Sequence, residues 1–211
     1  MPRTRIKICG ITTVDTALTA VESGADAIGF VFARSSPRFI EPENAWEIAM
    51  YLPPMVTKVG LFVDVAPEEF LRVKESCPFD YGQLHGLEDE TCVRQCGPWL
   101  IKAIQFDPTS IESELRRWNA VDELDAILVD GSIGGQGVAM DWNALAAVQG
   151  LSHHPIILAG GLTPDNVGDA IRTVRPYAVD VSSGVESTQG VKDARLIARF
   201  CEAVRQAYSN L

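Results

Sequence analysis

Short apolar runs alternate with amphipathic stretches along this chain, and the alternation constrains its fold more than any other feature. Eight runs have the composition of short strands, and a helical pattern follows each of them. Strands that alternate with helices predict a parallel sheet with right-handed crossovers. Eight such units in 211 residues predict a closed (β/α)8 barrel, a TIM barrel, formed by one domain over residues 1–211. The predicted strands are Arg5–Cys9, Ala27–Phe32, Lys58–Asp64, Tyr81–Gly86, Leu100–Phe106, Ala126–Asp130, Ile156–Ala159 and Ala178–Val181.

An open, doubly wound sheet is the alternative fold for alternating strands and helices. A dinucleotide-binding sheet of that kind carries G-x-G-x-x-G directly after its first strand, and this chain has Gly10-Ile11-Thr12 there. The barrel is therefore favoured. Thr12 and Asp15 form a capping box that predicts the first helix from about Thr13, and Gly24 is expected to follow its end. Two further helices are predicted over Pro108–Trp118 and from Thr163 to about Val174, and residues 182–189 are predicted to form a loop.

Charge and cysteine content exclude several classes of function. The formal net charge is -10 and the isoelectric point is about 4.7, so no basic surface is expected for nucleic acid or for an anionic membrane. No apolar run is long enough to span a membrane, and charged residues interrupt the N-terminus at once. Five cysteines without a C-x-x-C pair, and only three histidines, predict free thiols in a reducing compartment and no zinc site, so a cytoplasmic location is expected.

Residues that carry chemistry lie where the predicted strands end. Cys9 ends the first strand, His85 ends the fourth and Asp130 ends the sixth. In (β/α)8 barrels the carboxyl ends of the strands form the catalytic face. The alternative for Cys9 alone is a small buried hydrophobic residue, but the collection of polar residues at one end predicts an enzyme.

Two glycine-containing stretches are suited to binding phosphate. Gly160 and Gly161 follow the seventh strand, and Ser183 and Gly184 follow the eighth. Loops after the last two strands hold phosphate in many barrels of this kind, because the backbone there can approach an anion closely. The alternative is a pair of tight turns.

Two other loops are candidates for substrate contacts. Gly131–Met140 is rich in glycine, which is typical either of a mobile cover over a site rooted at Asp130 or of a flexible surface loop. Arg38, after the second strand, is either a bidentate partner for a substrate carboxylate or a solvated arginine.

Six motifs together resemble the phosphoribosylanthranilate isomerase family, in the right order and over essentially the whole chain. The first and the last of them are highly specific. They are Lys7-Ile8-Cys9-Gly10-Ile11-Thr12, Gly29-Phe30-Val31-Phe32 with Ser35-Ser36-Pro37-Arg38, Gln83-Leu84-His85-Gly86, Leu128-Val129-Asp130, Leu158-Ala159-Gly160-Gly161-Leu162 and Asp180-Val181-Ser182-Ser183-Gly184-Val185-Glu186.

The resemblance implies a (β/α)8 barrel that isomerises N-(5′-phosphoribosyl)anthranilate in tryptophan biosynthesis, with no metal or organic cofactor. It implies that Cys9, as a thiolate, is the general base and that Asp130 is the general acid. Arg38 would face the anthranilate carboxylate, and the phosphate would bind at Gly160, Gly161, Ser183 and Gly184. His85 and Asp180 match family active-site positions, but no step is assigned to them.

Three other functions are compatible with parts of the pattern. Lys7 or Lys102 could be the nucleophile of a Schiff-base aldolase, since both lie within predicted strands. A barrel that only binds phosphate would need neither Cys9 nor Asp130. The related sugar-phosphate isomerase of histidine biosynthesis performs the same rearrangement, but it uses an aspartate where this chain has Cys9. The oligomeric state is left as a monomer or a homodimer.

Three further predictions concern the charged groups of the proposed site. Lys7 and Asp180 should form a buried ion pair, because these strands become neighbours when the barrel closes. Lys7 and the N-terminus of the first helix should lower the pKa of the Cys9 thiol. Burial and substrate charge should raise the pKa of Asp130, so that acid and base act at one pH.

Overall fold

A computed structural model of the protein describes residues 3–131 and 140–209. Its main sheet is an all-parallel barrel in which each strand pairs with the next and β1 closes against β8. The predicted (β/α)8 barrel is therefore confirmed. The barrel strands are β1 Arg5–Cys9, β2 Ala27–Val31, β3 Thr57–Phe62, β4 Tyr81–Leu84, β5 Leu100–Gln105, β6 Leu124–Asp130, β7 Ile156–Ala159 and β8 Ala178–Val181.

The helices alternate with the strands and surround the barrel. Pro42 and Pro67 occupy the first turn of α2 and α3, where the missing N–H of proline removes no helical hydrogen bond. The helices are α1 Val14–Glu22, α2 Pro42–Ala49, α3 Pro67–Ser76, α4 Glu90–Cys96, α5 Ile111–Trp118, α6 Trp142–Val148, α7 Val167–Val174 and α8 Ala194–Ser209.

Alternation along the strands divides the apolar residues into two layers. Ile6 and Ile8 of β1 point outward and join the large core between the sheet and the helices. A smaller core fills the barrel interior with residues such as Val59, Leu128 and Ile157. The register pairs Lys7 with Ala27 on one side and with Asp180 on the other, so Lys7 shares the inward face with Cys9.

Among the helix starts predicted from the sequence, those of α1, α5 and α7 are displaced by one to four residues. The N-cap of α1 is Thr13, whose hydroxyl accepts from the N–H of Thr16, so the predicted capping box at Thr12 is wrong. Helices α5 and α7 begin at Ile111 and Val167, because hydrogen-bonded turns occupy the residues before them. Gly24 follows the end of α1 with a φ of 105°, as predicted.

The segment after β8 forms regular structure, although a loop is predicted over residues 182–189. A short helical turn over Ser183–Val185 leads into a hairpin of β9, Glu186–Thr188, and β10, Val191–Lys192. This hairpin brings Glu186 and Lys192 next to the carboxyl end of the barrel. Among the described residues, no helix combines the length and hydropathy needed to cross a membrane.

Candidate active site

A cavity of about 300 Å³ lies at the carboxyl ends of the barrel strands. Eight of the nine site residues predicted from the sequence line it; Gly184 does not. The eight are Cys9, Arg38, His85, Asp130, Gly160, Gly161, Asp180 and Ser183. Residues that are distant in sequence therefore meet at the face where (β/α)8 barrels carry out chemistry.

Cys9 ends β1 with only 3% of its surface exposed. Its neighbour across the sheet is Gly29, and a Cβ at Gly29 would lie 2.8 Å from the Cys9 sulfur. Glycine at this position therefore gives the thiol its room. The Ser182 hydroxyl donates to the Cys9 carbonyl at 3.1 Å and joins the ends of β1 and β8.

Lys7 and Asp180 form the predicted ion pair inside the barrel. The Lys7 Nζ atom lies 2.9 Å from Asp180 Oδ1, and the two side chains are 4% and 8% exposed. Burial alone would lower the pKa of Lys7, but Asp180 and Cys9 outweigh it and raise that pKa above its usual value. Lys7 is thus held as a cation close to Cys9.

The pKa of the Cys9 thiol is raised, and the expectation of a lowered value is wrong. Burial is the largest cause; Lys7 and Lys192 lower this pKa, whereas Asp180 raises it, and the sum remains above the ordinary value. Helix α1 begins at Val14, and no group of this helix is among the causes that set the pKa of Cys9.

Asp130 and His85 meet across the cavity. The His85 Nε2 atom lies 3.2 Å from Asp130 Oδ2, and the side-chain amide nitrogen of Gln83 lies 2.8 Å from His85 Nδ1. Gln83 is fully buried in β4, and its amide donates to Nδ1 in this arrangement. With the amide in this orientation, Nδ1 is the acceptor and Nε2 is left to donate to Asp130. Sequence reasoning missed Gln83, whose inward position two residues before His85 was a usable signal.

Lys102 lies outside the cavity and supports the loop that carries His85. Its side chain is buried and donates to Glu88 at 2.9 Å and to the Gly86 carbonyl at 2.8 Å. Glu88 also accepts from the N–H groups of Asp64 and Gly86. Lys102 therefore cannot be the nucleophile of an aldolase that works in this cavity, and Lys7 is engaged by Asp180.

Arg38 is held by a carboxylate of the protein itself. Its Nε and Nη2 atoms donate to the two oxygens of Glu186 at 2.6 and 2.8 Å. Lys192 donates to the same carboxylate at 2.7 Å, and Arg38 and Lys192 with the Gly190 N–H hold the pKa of Glu186 at about 2 against the effect of burial. Sequence reasoning did not identify Lys192, because nothing in the local pattern marks it.

The two predicted phosphate loops lie against each other. Gly161 is exposed and has a φ of 65°, and the space where a Cβ would stand is open. Asn166 holds this loop by donating to the Gly161 carbonyl at 2.9 Å and accepting from the Thr163 N–H. Gly184 serves this packing instead of lining the cavity, because a Cβ there would lie 1.8 Å from the Leu162 carbonyl oxygen.

Two expectations concern what could cover or fill the cavity. The predicted glycine-rich cover lies outside the described residues over positions 132–139. Within the described part of the chain, no three His, Cys, Asp or Glu side chains are grouped so as to hold a metal ion.

The chain is similar to proteins of one known family over nearly its whole length. Residues 6–203 match the family model for N-(5′-phosphoribosyl)anthranilate (PRA) isomerase. The chain is 47% identical to an N-(5′-phosphoribosyl)anthranilate isomerase of Pseudomonas aeruginosa over 97% of both chains. It is 41% identical to the solved phosphoribosyl anthranilate isomerase of Thermotoga maritima, with a TM-score of 0.86 over 96% of this chain and 99% of that one.

A second solved isomerase is similar and contains a ligand. It is 38% identical with a TM-score of 0.86, over 96% of this chain and 99% of that one. It was solved in complex with reduced 1-(o-carboxyphenylamino)-1-deoxyribulose 5-phosphate.

Proposed function

This chain belongs to the N-(5′-phosphoribosyl)anthranilate isomerase family, and we propose that Cys9 is the general base and Asp130 the general acid of its reaction. The enzyme isomerises N-(5′-phosphoribosyl)anthranilate, an aldose derivative, to the ketose 1-(2-carboxyphenylamino)-1-deoxyribulose 5-phosphate in tryptophan biosynthesis. The observation that supports the assignment is that Cys9 and Asp130 line one cavity from opposite parts of the barrel. Residues 1–211 would act as one catalytic domain.

The rearrangement needs one proton donor and one proton acceptor. Asp130 gives a proton to the furanose ring oxygen, the bond from C1′ to that oxygen breaks, and the anthranilate nitrogen forms a double bond to C1′. Cys9 as thiolate removes the proton from C2′, and the electron pair forms the C1′–C2′ double bond of an enolamine. The enolamine then gains a proton at C1′ and loses the hydroxyl proton at C2′, which gives the ketone.

The buried Lys7–Asp180 pair would assist Cys9, the proposed general base. Lys7 lowers the pKa of Cys9 and so favours the thiolate, while Asp180 keeps Lys7 charged. Without Lys7, the buried Cys9 would lose a positive charge that stabilises its thiolate. Asp180 would then act on the reaction through Lys7 as well as by lining the cavity.

His85 would assist Asp130, the proposed proton donor. Its Nε2–H would donate to the carboxyl group of Asp130, because the Gln83 amide donates to Nδ1 in this arrangement. When Asp130 gives up its proton, this donor stabilises the carboxylate that forms. His85 would therefore orient the acid and lower the barrier of ring opening, without exchanging a proton with the substrate.

Arg38 would bind the anthranilate carboxylate, and the last two loops would bind the phosphate. Arg38 lines the cavity with its Nη1 atom still without a protein partner among the described residues. Gly160, Gly161 and Ser183 line the same cavity from the loops after β7 and β8. The two anionic ends of the substrate would then lie on either side of Cys9 and Asp130.

The oligomeric state and the cellular location of the protein are also proposals. A structure from Thermotoga maritima is described as monomers generated from a dimeric isomerase, and we leave this chain as a monomer or a homodimer. Its five free cysteines suit the reducing cytoplasm. No role is proposed for a cofactor, a nucleic acid or a membrane.

Steady-state kinetics of the purified protein test the assignment. N-(5′-phosphoribosyl)anthranilate and the aminoaldose phosphate of histidine biosynthesis would be assayed side by side, with Cys9→Ala and Asp130→Asn as variants. We expect turnover of the first substrate and its loss in both variants. Turnover of only the second substrate would contradict the proposal, and so would a wild-type protein that binds the ligand without converting it.

A further inference from the structure

Three charged side chains behind the cavity form one buried cluster, the Arg38–Glu186–Lys192 cluster. The side chains of Arg38, Glu186 and Lys192 are 19%, 4% and 1% exposed. Arg38 comes from the loop after β2, whereas Glu186 and Lys192 come from the hairpin after β8. Only Arg38 reaches the cavity.

Every hydrogen-bonding position of the Glu186 carboxylate is filled by the protein. Oε1 accepts from Arg38 Nε at 2.6 Å and from Lys192 Nζ at 2.7 Å. Oε2 accepts from Arg38 Nη2 at 2.8 Å and from the Gly190 N–H at 3.0 Å. Four donors saturate an ionised carboxylate, so Glu186 carries a full negative charge.

The hydrogen bonds of Lys192 fit a charged ammonium group, and Glu186 opposes the lowering of the Lys192 pKa by burial. Its Nζ atom has three acceptors: Glu186 Oε1, the Ser182 carbonyl at 3.0 Å and the Ser182 hydroxyl at 3.1 Å. The Ser182 hydroxyl uses its own hydrogen on the Cys9 carbonyl, so it must accept from Lys192. Three acceptors match the three N–H bonds of an ammonium group.

The charges of the cluster do not cancel. Two cations surround one carboxylate, while the neighbouring Lys7 and Asp180 neutralise each other. Arg38 alone with Glu186 would be a neutral pair and would attract an anion weakly. With Lys192 present, the guanidinium at the cavity keeps its attraction for a negative group.

We infer that Lys192 is a positioning residue for substrate binding: it offsets the charge of Glu186, so that Glu186 can hold Arg38 rigidly while the cluster stays net positive. The inference rests on the proposed function, because the group attracted is the anthranilate carboxylate at Arg38. Lys192 does not contact substrate itself. It acts through Glu186, and it makes this site selective for a carboxylate over a neutral group.

A pair of inhibitors isolates that selectivity. Anthranilate carries the carboxylate, and 2-aminobenzamide replaces it with a neutral amide of similar shape. The measurement is the ratio of their inhibition constants against N-(5′-phosphoribosyl)anthranilate turnover. A loss of packing alone would weaken both compounds, whereas a loss of positive charge weakens anthranilate specifically.

The wild-type enzyme should prefer anthranilate, and Lys192→Met should reduce that preference by about tenfold. The double variant Glu186→Gln/Lys192→Met removes one charge of each sign and should restore most of it. Lys58→Met, which removes a partly exposed lysine paired with Asp80 at the other end of the barrel, is the matched control and should change nothing.

The inhibition constants distinguish a failure of the proposed carboxylate site at Arg38 from a failure of the inference about Lys192. If the wild-type enzyme shows no preference for anthranilate, the proposed carboxylate site at Arg38 is wrong and the inference falls with it. If the wild-type enzyme prefers anthranilate and Lys192→Met keeps that preference, only the inference about Lys192 is overturned. A double variant whose preference for anthranilate is no greater than that of Lys192→Met would also overturn the inference about Lys192. The double variant should fold, because it leaves no buried carboxylate that has lost one of its cationic partners.

Discussion

Lys7 donates to Asp180 at 2.9 Å across the seam where the first and last strands of the barrel join. Both side chains are buried, and Cys9 lies two residues after Lys7 on the same inward face. One ion pair therefore contributes to closing the barrel and sets the electrostatic surroundings of the proposed base.

Replacing Lys7 with methionine should destabilise the protein by about 3–5 kcal/mol, because the Asp180 carboxylate would stay buried without its partner. The double variant Lys7→Met/Asp180→Leu should recover much of that loss. Lys58→Met breaks a more exposed pair and should cost at most about 1 kcal/mol. Urea unfolding of the four proteins measures these differences, and an unchanged Lys7→Met would show that the pair contributes nothing to stability.

Iodoacetamide should react with Cys9 with a pH midpoint above that of an ordinary thiol. The pKa of Cys9 is raised in the folded protein, so the unreactive thiol persists to higher pH and the thiolate appears only above the usual value of 9.0. Lys7→Met should move the midpoint higher still, since Lys7 lowers this pKa. Mass spectrometry of the alkylated Cys9 peptide, with and without substrate as protectant, measures the midpoint. A midpoint below that of a free thiol would contradict the raised pKa.

The barrel was predictable from sequence because its signal is local. Buried parallel strands have dense apolar runs, and proline at Pro42 and Pro67 marks helix starts. The order of the strands along the chain is also their order around the barrel. The sequence therefore sufficed to place Cys9, His85 and Asp130 at one face. The Lys7–Asp180 pair followed from the parity of two strands that must become neighbours.

The rest of the site depends on contacts that no local pattern encodes. Arg38 pairs with Glu186, which lies 148 positions away, and the hairpin that brings Lys192 to it was predicted as a loop. Lys102 looked like a candidate nucleophile but points into the outer layer, near Trp118 and Glu88. The pKa of Cys9 depends on the balance between burial and charge, and the sequence indicates the nearby charge but not the degree of burial.

Gly161→Ala should raise both the KM for substrate and the inhibition constant for inorganic phosphate. Gly161 has a φ of 65°, which strains any other residue, and a Cβ would stand in the open space of the proposed phosphate site. The expected change is about tenfold or more, the value of one lost hydrogen bond to a charged group. Gly150→Ala, also in open space but remote from the cavity, is the control. Equal phosphate inhibition of the wild type and Gly161→Ala would place the phosphate elsewhere.

The imidazole of His85 should carry a proton on Nε2 and accept a hydrogen bond at Nδ1, and Gln83→Leu should weaken that preference. The reason is the donation from the Gln83 amide to Nδ1. Nitrogen-15 NMR of the imidazole rings reads the tautomer directly. His154, whose Nε2 lies 3.2 Å from the Trp118 carbonyl, is an internal reference for the same tautomer. A proton on Nδ1 of His85 in the wild-type protein would reverse its proposed role toward Asp130.

The dependence of kcat on the two proposed catalytic groups tests the account most directly. Cys9→Ala and Asp130→Asn should each lower kcat by at least about 10²-fold at saturating substrate, because each removes one proton-transfer group and leaves the carboxylate and phosphate contacts in place. Cys92→Ala, which changes a partly exposed cysteine outside the cavity, should keep the wild-type kcat. A Cys9→Ala protein that binds substrate and turns it over at a near-normal rate would contradict the assignment of Cys9 as the base and the mechanism built on it.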